Sequence, residues 1–392
     1  MVNDIGDWML SLALPIYVFT ATRSGRDTTF VFAIEIAIGL LFGAHGGTLA
    51  DRLDLKRTIV ITNFLQAATL VPLLAVTPQR IWPVYVVTAS QTLVAQVNNP
   101  ASWSLVPRVV DDEQLLAANA ANSSAGSIAR LVGAPLGGIV VGLGGLGTVV
   151  LVDSLTFVTV ALATMTIGAD TRPLRTADSG EPDAGVRHGW RLIRGHPVLV
   201  GYLIAQSLAA VAFAMFPVLF IKFVITQLNG GAAKVGIIRS TAAFGALVAS
   251  SLITRYAKRQ NPASLMMWGY LSFAVVAALF INAPFVTRAI AVYLVLFALS
   301  GLPNAASQIG ASAMAQHRCP AELRGRLAGF SNVGDAVGAG VGTLVVALLI
   351  DRVGIVPLFD GQAFFYLAAG ITSYLLVVRR LRQDPIAEHW GD

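Results

Sequence analysis

Long apolar segments constrain the fold of this chain more than any other feature. A helix that crosses the hydrocarbon core of a bilayer needs about 20 mostly apolar residues, and the sequence offers twelve such segments separated by polar stretches. We therefore predict an all-α integral membrane protein with twelve transmembrane helices. The predicted spans cover residues 5–22, 30–50, 58–77, 83–106, 120–143, 148–168, 197–221, 235–254, 264–282, 289–313, 327–350 and 357–378.

The overall composition agrees with a membrane protein. Of the 392 residues, 55% are hydrophobic and only 12% are charged, whereas soluble domains carry about 25% charged residues. The mean hydropathy is +0.71. The lipid bilayer is therefore the expected environment. The net charge of +6 is too scattered along the chain to indicate a nucleic-acid partner.

The sequence carries none of the motifs that would indicate an enzyme. The single cysteine, Cys319, excludes an internal disulfide and has no neighbour at metal-ligand spacing. A Walker A sequence, an H-E-x-x-H motif and a G-x-S-x-G motif are all missing, so neither nucleotide-driven pumping nor hydrolysis has residues to perform it. We predict no enzyme activity, no cofactor and no bound metal.

The distribution of basic residues predicts the orientation, because loops rich in Lys and Arg stay in the cytoplasm. Loops after even-numbered spans, together with the C-terminal tail, hold 18 of the 27 Lys and Arg residues, and the opposite side holds seven. We predict a multi-pass protein of the cytoplasmic (inner) membrane with both termini cytoplasmic. No basic residue precedes the first span. We therefore expect that the first helix is clipped at its N-terminus and that the native start lies upstream of Met1.

The two halves of the chain repeat each other. The segment "ALPIYV" at Ala13 matches "MFPVLF" at Met215, and "DSLTFVTVA" at Asp153 matches "DGQAFFYLA" at Asp360, with a common offset of roughly 205 residues. Two pseudo-symmetric six-helix bundles are therefore expected. The predicted domains are an N-terminal half (1–168), a cytoplasmic middle loop (169–196), a C-terminal half (197–383) and a cytoplasmic tail (384–392).

One charged turn between the second and third spans identifies a family. The turn has the sequence "GTLADRLDLKR", which resembles the G-x-L-a-D-r-x-G-r-k-r signature of the major facilitator superfamily and departs from it at Asp54, where the signature prefers glycine. The segments "GDWMLSLALP", "NNPASWSLVPRVVDDEQLLAANA", "ARLVGAPLGG" and "LVDSLTF" further resemble the enterobactin-exporter and macrolide-efflux branch, which consists of proton antiporters. The resemblance implies transport by alternating access between two halves.

The resemblance also assigns a gating role to the charged turn. Asp51 is expected beside the cytoplasmic start of the eleventh span, where a carboxylate is stabilised by the helix dipole and unpaired backbone N–H groups. Alternatively, the bases of the turn only set the topology. The gating candidates are Gly47, Asp51, Arg52, Lys56 and Arg57.

The segment "ARLVGAPLGG" in the fifth span resembles the antiporter signature that ends in G-P-x-x-G-G, with the proline displaced. This resemblance favours export over import. The alternative is ordinary close packing of helices at small residues. The residues of this helix-packing motif are Gly133, Pro135, Gly137 and Gly138.

Ionisable residues inside spans are candidates for proton coupling, because each costs about 2.5–3.5 kcal/mol on insertion scales. Asp7 is the first choice, and Glu35 is better placed for an outer gate with Arg239. For Arg130 and Asp335, which occupy related positions in the two halves, structural packing is the favoured interpretation. We expect Asp153 and Asp360 to cap the starts of helices.

Polar side chains in the spans are candidates for lining a substrate cavity. The fourth span lacks the arginine that many proton antiporters carry there and has amides instead. Amides among Phe and Met residues suit an amphiphilic organic molecule better than a small ion. The cavity candidates are Gln91, Asn98, Gln206, Asn304 and Gln308.

Together these observations predict a secondary active transporter, a monomer, that exports a small amphiphilic organic molecule such as a drug or a siderophore. The expected energy source is the proton gradient. Two alternatives stay open: an uptake transporter of the same fold, and an inactive or truncated paralogue that acts as a membrane scaffold.

Overall fold

The computed structural model describes residues 2–168, 191, 193–256, 261–319 and 321–383. Inside these ranges several stretches are described by their backbone only, among them 44–52 and 112–121. Most of the predicted middle loop and the predicted tail lie outside the described residues.

The described ranges contain eleven long helices. They are α1 (Val2–Thr22), α2 (Gly25–Arg52), α3 (Leu55–Leu70), α4 (Trp82–Val109), α5 (Asp112–Met165), α6 (Pro197–Thr226), α7 (Ala232–Tyr256), α8 (Pro262–Asn282), α9 (Ile290–Arg318), α10 (Ala321–Leu349) and α11 (Ile355–Thr372). A 3-10 turn (Val71–Ala75) extends α3, and a π-helical turn (Ser373–Val378) joins α11 to the short α12 (Arg379–Gln383).

The long helix α5 contains two predicted spans and breaks between them. Gly145 has φ 73° and ψ 179°, a backbone conformation that glycine adopts readily and that a side chain would disfavour. At the related turn of the second half, Gly354 (φ 83°) precedes α11. The sequence repeat therefore extends to the turn glycines.

The helices have the length and composition of a multi-pass membrane protein. Within the described residues, eight helical stretches are long and apolar enough to cross a bilayer: α1, α3 with its extension, α5 from Ile128, α6, α8, α9, α10 and α11 with its extension. Large apolar side chains such as Leu143 (87% exposed) and Phe285 (79%) lie on the helix surfaces, as expected where lipid rather than water surrounds a protein.

The first of two compact units comprises Met1–Thr176 and Ile221–Ser240. Its core joins α1 to the second part of α5, with Phe157 and Val149 packed among Met9, Ala13 and other buried residues.

The second unit comprises Ala177–Phe220 and Thr241–Asp392. Part of its core is a group of aromatic rings, in which Phe220 stacks on Phe297 with ring centroids 4.8 Å apart and Phe280 packs against both. A second group stacks Phe273 on Tyr366 at 4.5 Å.

The prediction that Asp153 and Asp360 cap helix starts is wrong. Asp153 lies inside α5, eight residues after the break at Gly145, and its side chain is fully buried. Asp360 lies in the second turn of α11, whose N-cap is Gly354, and is exposed. Asp54 does cap a helix, since its Oδ1 accepts a hydrogen bond from the Arg57 backbone N–H (2.9 Å) at the start of α3.

Candidate functional site

The helix-packing motif brings the backbone of α5 into contact with two other helices. A Cβ atom added to Gly137 would lie 2.4 Å from the Met9 carbonyl oxygen, and one added to Gly133 would lie 2.6 Å from the Ile5 carbonyl oxygen, both on α1. On α7, a Cβ at Gly236 would lie 2.9 Å from the Pro135 carbonyl oxygen. These contacts are too close for any side chain, so the motif fixes where α5 touches α1 and α7.

Two carboxylates meet at the contact between α1 and α5. Asp7 Oδ2 accepts a hydrogen bond from Asn3 Nδ2 (2.9 Å). Asp153 lies beside Gly6, where an added Cβ would lie 2.3 Å from Asp153 Oδ1. Thr156 Oγ1 lies 3.4 Å from Asn3 Oδ1 and 3.3 Å from Asp153 Oδ1, so a chain of polar groups joins the two acids.

The two arginines inside predicted spans of the first unit, Arg130 and Arg239, lie near each other, and neither forms an ion pair among the described side chains. The Arg130 guanidinium stands over the Trp8 ring, 5.9 Å from its centroid. Arg239 lies within electrostatic range of Arg130. Among the described side chains, Glu35 and Arg239 form no ion pair. The outer gate between them therefore stays a prediction, and in this structure Arg239 lies near a like charge.

Of the gating candidates in the charged turn, the structure describes the side chains of Lys56 and Arg57. Lys56 Nζ donates to the Ile167 carbonyl oxygen (2.6 Å), two residues beyond the end of α5. A helix C-terminus has unpaired carbonyls and a negative dipole end, which attract a cation. Arg57 is exposed. The side chains of Asp51 and Arg52 and the surroundings of Gly47 lie outside the described residues, so their gating role stays a prediction.

Replacing Lys56 by glutamine should loosen the start of α3 from the end of α5, because the charged donor to the Ile167 carbonyl is lost. We expect a several-fold loss of transport at normal expression. Arg57→Gln should cause a smaller loss because that side chain is exposed. Transport in vesicles checks both variants, and a larger loss for Arg57→Gln would contradict this role of Lys56.

Two of the predicted cavity residues are engaged between helices instead. Asn98 is 8% exposed, and its Oδ1 accepts hydrogen bonds from Thr62 Oγ1 (2.8 Å) and Asn63 Nδ2 (3.3 Å) on α3. Gln91 Nε2 donates to the Gln66 carbonyl oxygen (2.8 Å). The structure therefore corrects the cavity prediction for Gln91 and Asn98, since the Asn98 amide oxygen and the Gln91 amide group form hydrogen bonds that join α4 to α3.

In the second unit the polar residues gather around buried tyrosines. The Tyr270 hydroxyl donates to Gln206 Oε1. Tyr202 lies near Ser331 and Gln206, and Asp335 lies near both tyrosines. Gln206 and Asp335, assigned to different roles by sequence, thus belong to one polar cluster. Asn304 is half-buried and Gln308 is exposed on α9, and their cavity role stays a prediction.

Sequence reasoning missed several members of these clusters. The sequence analysis did not select Thr156, Asn63 or Tyr270. Thr, Asn and Tyr are common in spans, and only the side chains around them in the structure indicate a role. For Asp153 the sequence does contain a signal, because an acid recurs at the related position, Asp360, in the second half.

Helices broken and packed in this way, with polar side chains buried between them, define a multi-pass membrane protein of the transporter class. The model of the Major Facilitator Superfamily matches residues 1–297 and 203–391. The chain therefore belongs to this superfamily. The all-α membrane fold and the family that the sequence indicated are confirmed, while the count of twelve transmembrane helices stays a prediction.

Curated relatives match over nearly the whole chain. The enterobactin exporter EntS of Escherichia coli O1:K1 / APEC is 22% identical over 96% of this chain and 90% of its own length. The same values hold for the enterobactin exporter EntS of Shigella boydii serotype 18.

Solved structures share the fold at lower identity. A bacterial homologue of the iron transporter ferroportin in an inward-facing state gives a TM-score of 0.73 at 16% identity, with 96% of this chain and 95% of that chain covered. The nucleoside transporter NupG gives a TM-score of 0.74 at 15% identity, with 96% and 98% covered. These neighbours are all transporters, though of different substrates. In the described part of this chain, no three His, Cys, Asp or Glu side chains stand together as metal ligands.

Proposed function

We propose that this protein exports a small amphiphilic organic molecule by alternating access and uses the proton gradient as its energy source. The similarity to a curated exporter over 96% of the chain carries the proposed direction. The solved structures do not support a direction of transport, because at 16% identity and below they show only the shared fold.

The α1–α5 contact supports the antiporter interpretation. Two residues that resemble the antiporter signature, Gly133 and Gly137, hold the α5 backbone against α1, and at the same contact a chain of polar groups links two carboxylates. A proton-driven transporter needs an acid inside its spans that can gain and lose a proton, and ionisable groups there are functional candidates. The proposed coupling region therefore coincides with the signature.

Flux into everted membrane vesicles tests the direction and the coupling. Enterobactin, which names the curated relative, and a macrolide are suitable test compounds, each measured with and without an imposed pH gradient. Accumulation that requires the gradient supports proton-coupled export. Accumulation by whole cells instead would support uptake, and no flux of either compound in either direction would leave the scaffold alternative.

Asp51→Asn tests alternating access. The expected dipole interaction at the start of the eleventh span needs a charged carboxylate, so the variant should insert normally but transport at least an order of magnitude more slowly. Accessibility of introduced cysteines should show more of the inward-open form. Undiminished flux at normal expression would remove the gating role of Asp51.

A further inference from the structure

We propose that Asp153 is a proton-binding site that works as a pair with Asp7 across the contact between α1 and α5. This inference rests on the proposed proton coupling and names a second acid for it. Its geometry is independent of which substrate is carried.

The burial of Asp153 is the first observation. The side chain is 0% exposed, and its Oδ2 is a buried oxygen with no hydrogen-bond partner among the described residues. Burying an unpaired carboxylate charge is costly, whereas a neutral acid group needs only an acceptor for its single O–H. An acid without a cation in such a place is suited to hold a proton.

The location of Asp153 is the second observation. It lies eight residues after Gly145, about 12 Å along the helix at 1.5 Å per residue. It is therefore well inside α5 and away from either end. It can lie there because Gly6 has no side chain, so the α1 backbone makes room for the carboxylate.

The chain of polar groups provides the link to Asp7. With a proton on Asp153 Oδ1, the Thr156 hydroxyl oxygen can accept a hydrogen bond from Asp153. Asn3 Oδ1, the side-chain amide oxygen, can then accept from the Thr156 hydroxyl. Asp7 Oδ2 accepts from Asn3 Nδ2. Each step then has one donor and one acceptor. When Asp153 loses its proton, Thr156 must donate to Asp153 or to the Asp153 carbonyl oxygen (2.7 Å), and Asn3 Oδ1 loses its donor.

Among the described side chains, the charged groups around the pair include two acids on α1 and no cation that pairs with Asp153. On α1, Asp4 and Asp7 are the acids near the site, and Asp7 lies within electrostatic range of Asp153. On α5, Arg130 is held over Trp8. On α3, Lys56 is held by the Ile167 carbonyl oxygen, and Arg57 lies at the helix start.

Two neighbouring carboxylates repel each other when both are charged, and their protons must be counted for the pair. In the proposed cycle, a proton from water binds the exposed Asp7 or the buried Asp153 and forms one O–H bond. It leaves to water when alternating access opens the site to the other side of the membrane.

Infrared spectroscopy of the full-length protein in liposomes tests the site without any substrate. The probe is the proton itself, followed by the carbonyl band of a protonated carboxylic acid from mildly acidic to mildly alkaline pH. We expect Asp153→Asn to remove one titrating component of this band. The matched control is Asp360→Asn, which removes the related but exposed acid of the second half and should leave that component intact. Identical spectra for wild type and Asp153→Asn would overturn the proposal.

Transport measurements then separate this proposal from the proposed function. Thr156→Val keeps the shape of the side chain and both acids but removes the hydroxyl that links them. We expect it to retain the Asp153 band and to lose accumulation against a gradient while exchange persists. Wild-type accumulation by both Asp153→Asn and Thr156→Val would contradict the inference while leaving export intact. If the wild-type protein moves neither test compound, the proposed function fails, yet the spectra still decide whether Asp153 binds a proton.

Discussion

Asp7→Asn should abolish gradient-driven export while substrate binding and downhill exchange continue. An amide has nearly the shape of a carboxylic acid but cannot release a proton, so the variant can change conformation and cannot couple that change to proton flow. Asp7 is exposed at the α1–α5 contact and accepts a hydrogen bond from Asn3, and a chain of polar groups links it to the buried Asp153. Accumulation of enterobactin in everted vesicles with an imposed pH gradient measures the loss.

Glu35→Gln provides the comparison for this prediction. Glu35 also lies inside a predicted span but makes no ion pair with Arg239 among the described side chains, so its replacement should weaken transport less severely. Exchange of labelled substrate across vesicles without a gradient is the control for folding and binding. If Asp7→Asn accumulates substrate at the wild-type rate, coupling resides elsewhere and Glu35 becomes the next candidate.

The sequence predicted the architecture well because hydrophobic length and repetition are properties of the chain itself. The span from 120 to 143 and the span from 148 to 168 meet at Gly145, which the sequence placed between two helices and the structure shows with a positive φ. The departure from the family signature at Asp54 also has a local cause. The position caps α3, and aspartate is among the best N-cap residues.

The individual site residues were harder to predict because the direction of a side chain depends on helix rotation. Gln91 and Asn98 were expected in a cavity, yet the rotation of α4 turns both amides toward α3. Asp153 was expected at a helix start because it lies near the outer end of its predicted span, yet the helix break comes eight residues earlier. A polar residue in a span is thus visible in the sequence, but its partner is not.

Gly137→Ala should destabilise the folded protein, although alanine favours helix elsewhere. Replacing glycine by alanine inside a helix normally stabilises it by about 0.5–1 kcal/mol. At Gly137 the added methyl group would lie 2.4 Å from the Met9 carbonyl oxygen and 2.8 Å from its Cα. Backbone atoms cannot rotate away as a side chain can, so α1 would have to shift, and overpacking of this kind costs about 1–3 kcal/mol.

Gly142→Ala is the matched control on the same helix. A Cβ there would find its nearest neighbours at 3.8 Å on Ala233, an ordinary contact, so this variant should be as stable as wild type or slightly more stable. The midpoint of thermal unfolding in detergent, followed by tryptophan fluorescence, compares the two variants. Because Met9 and Asp7 lie on the same helix, a shift of α1 at Gly137 should also disturb the acid pair. Gly137→Ala should therefore lose gradient-driven transport even where it still folds. An unchanged unfolding midpoint for Gly137→Ala would mean that α1 and α5 are not held together at this glycine.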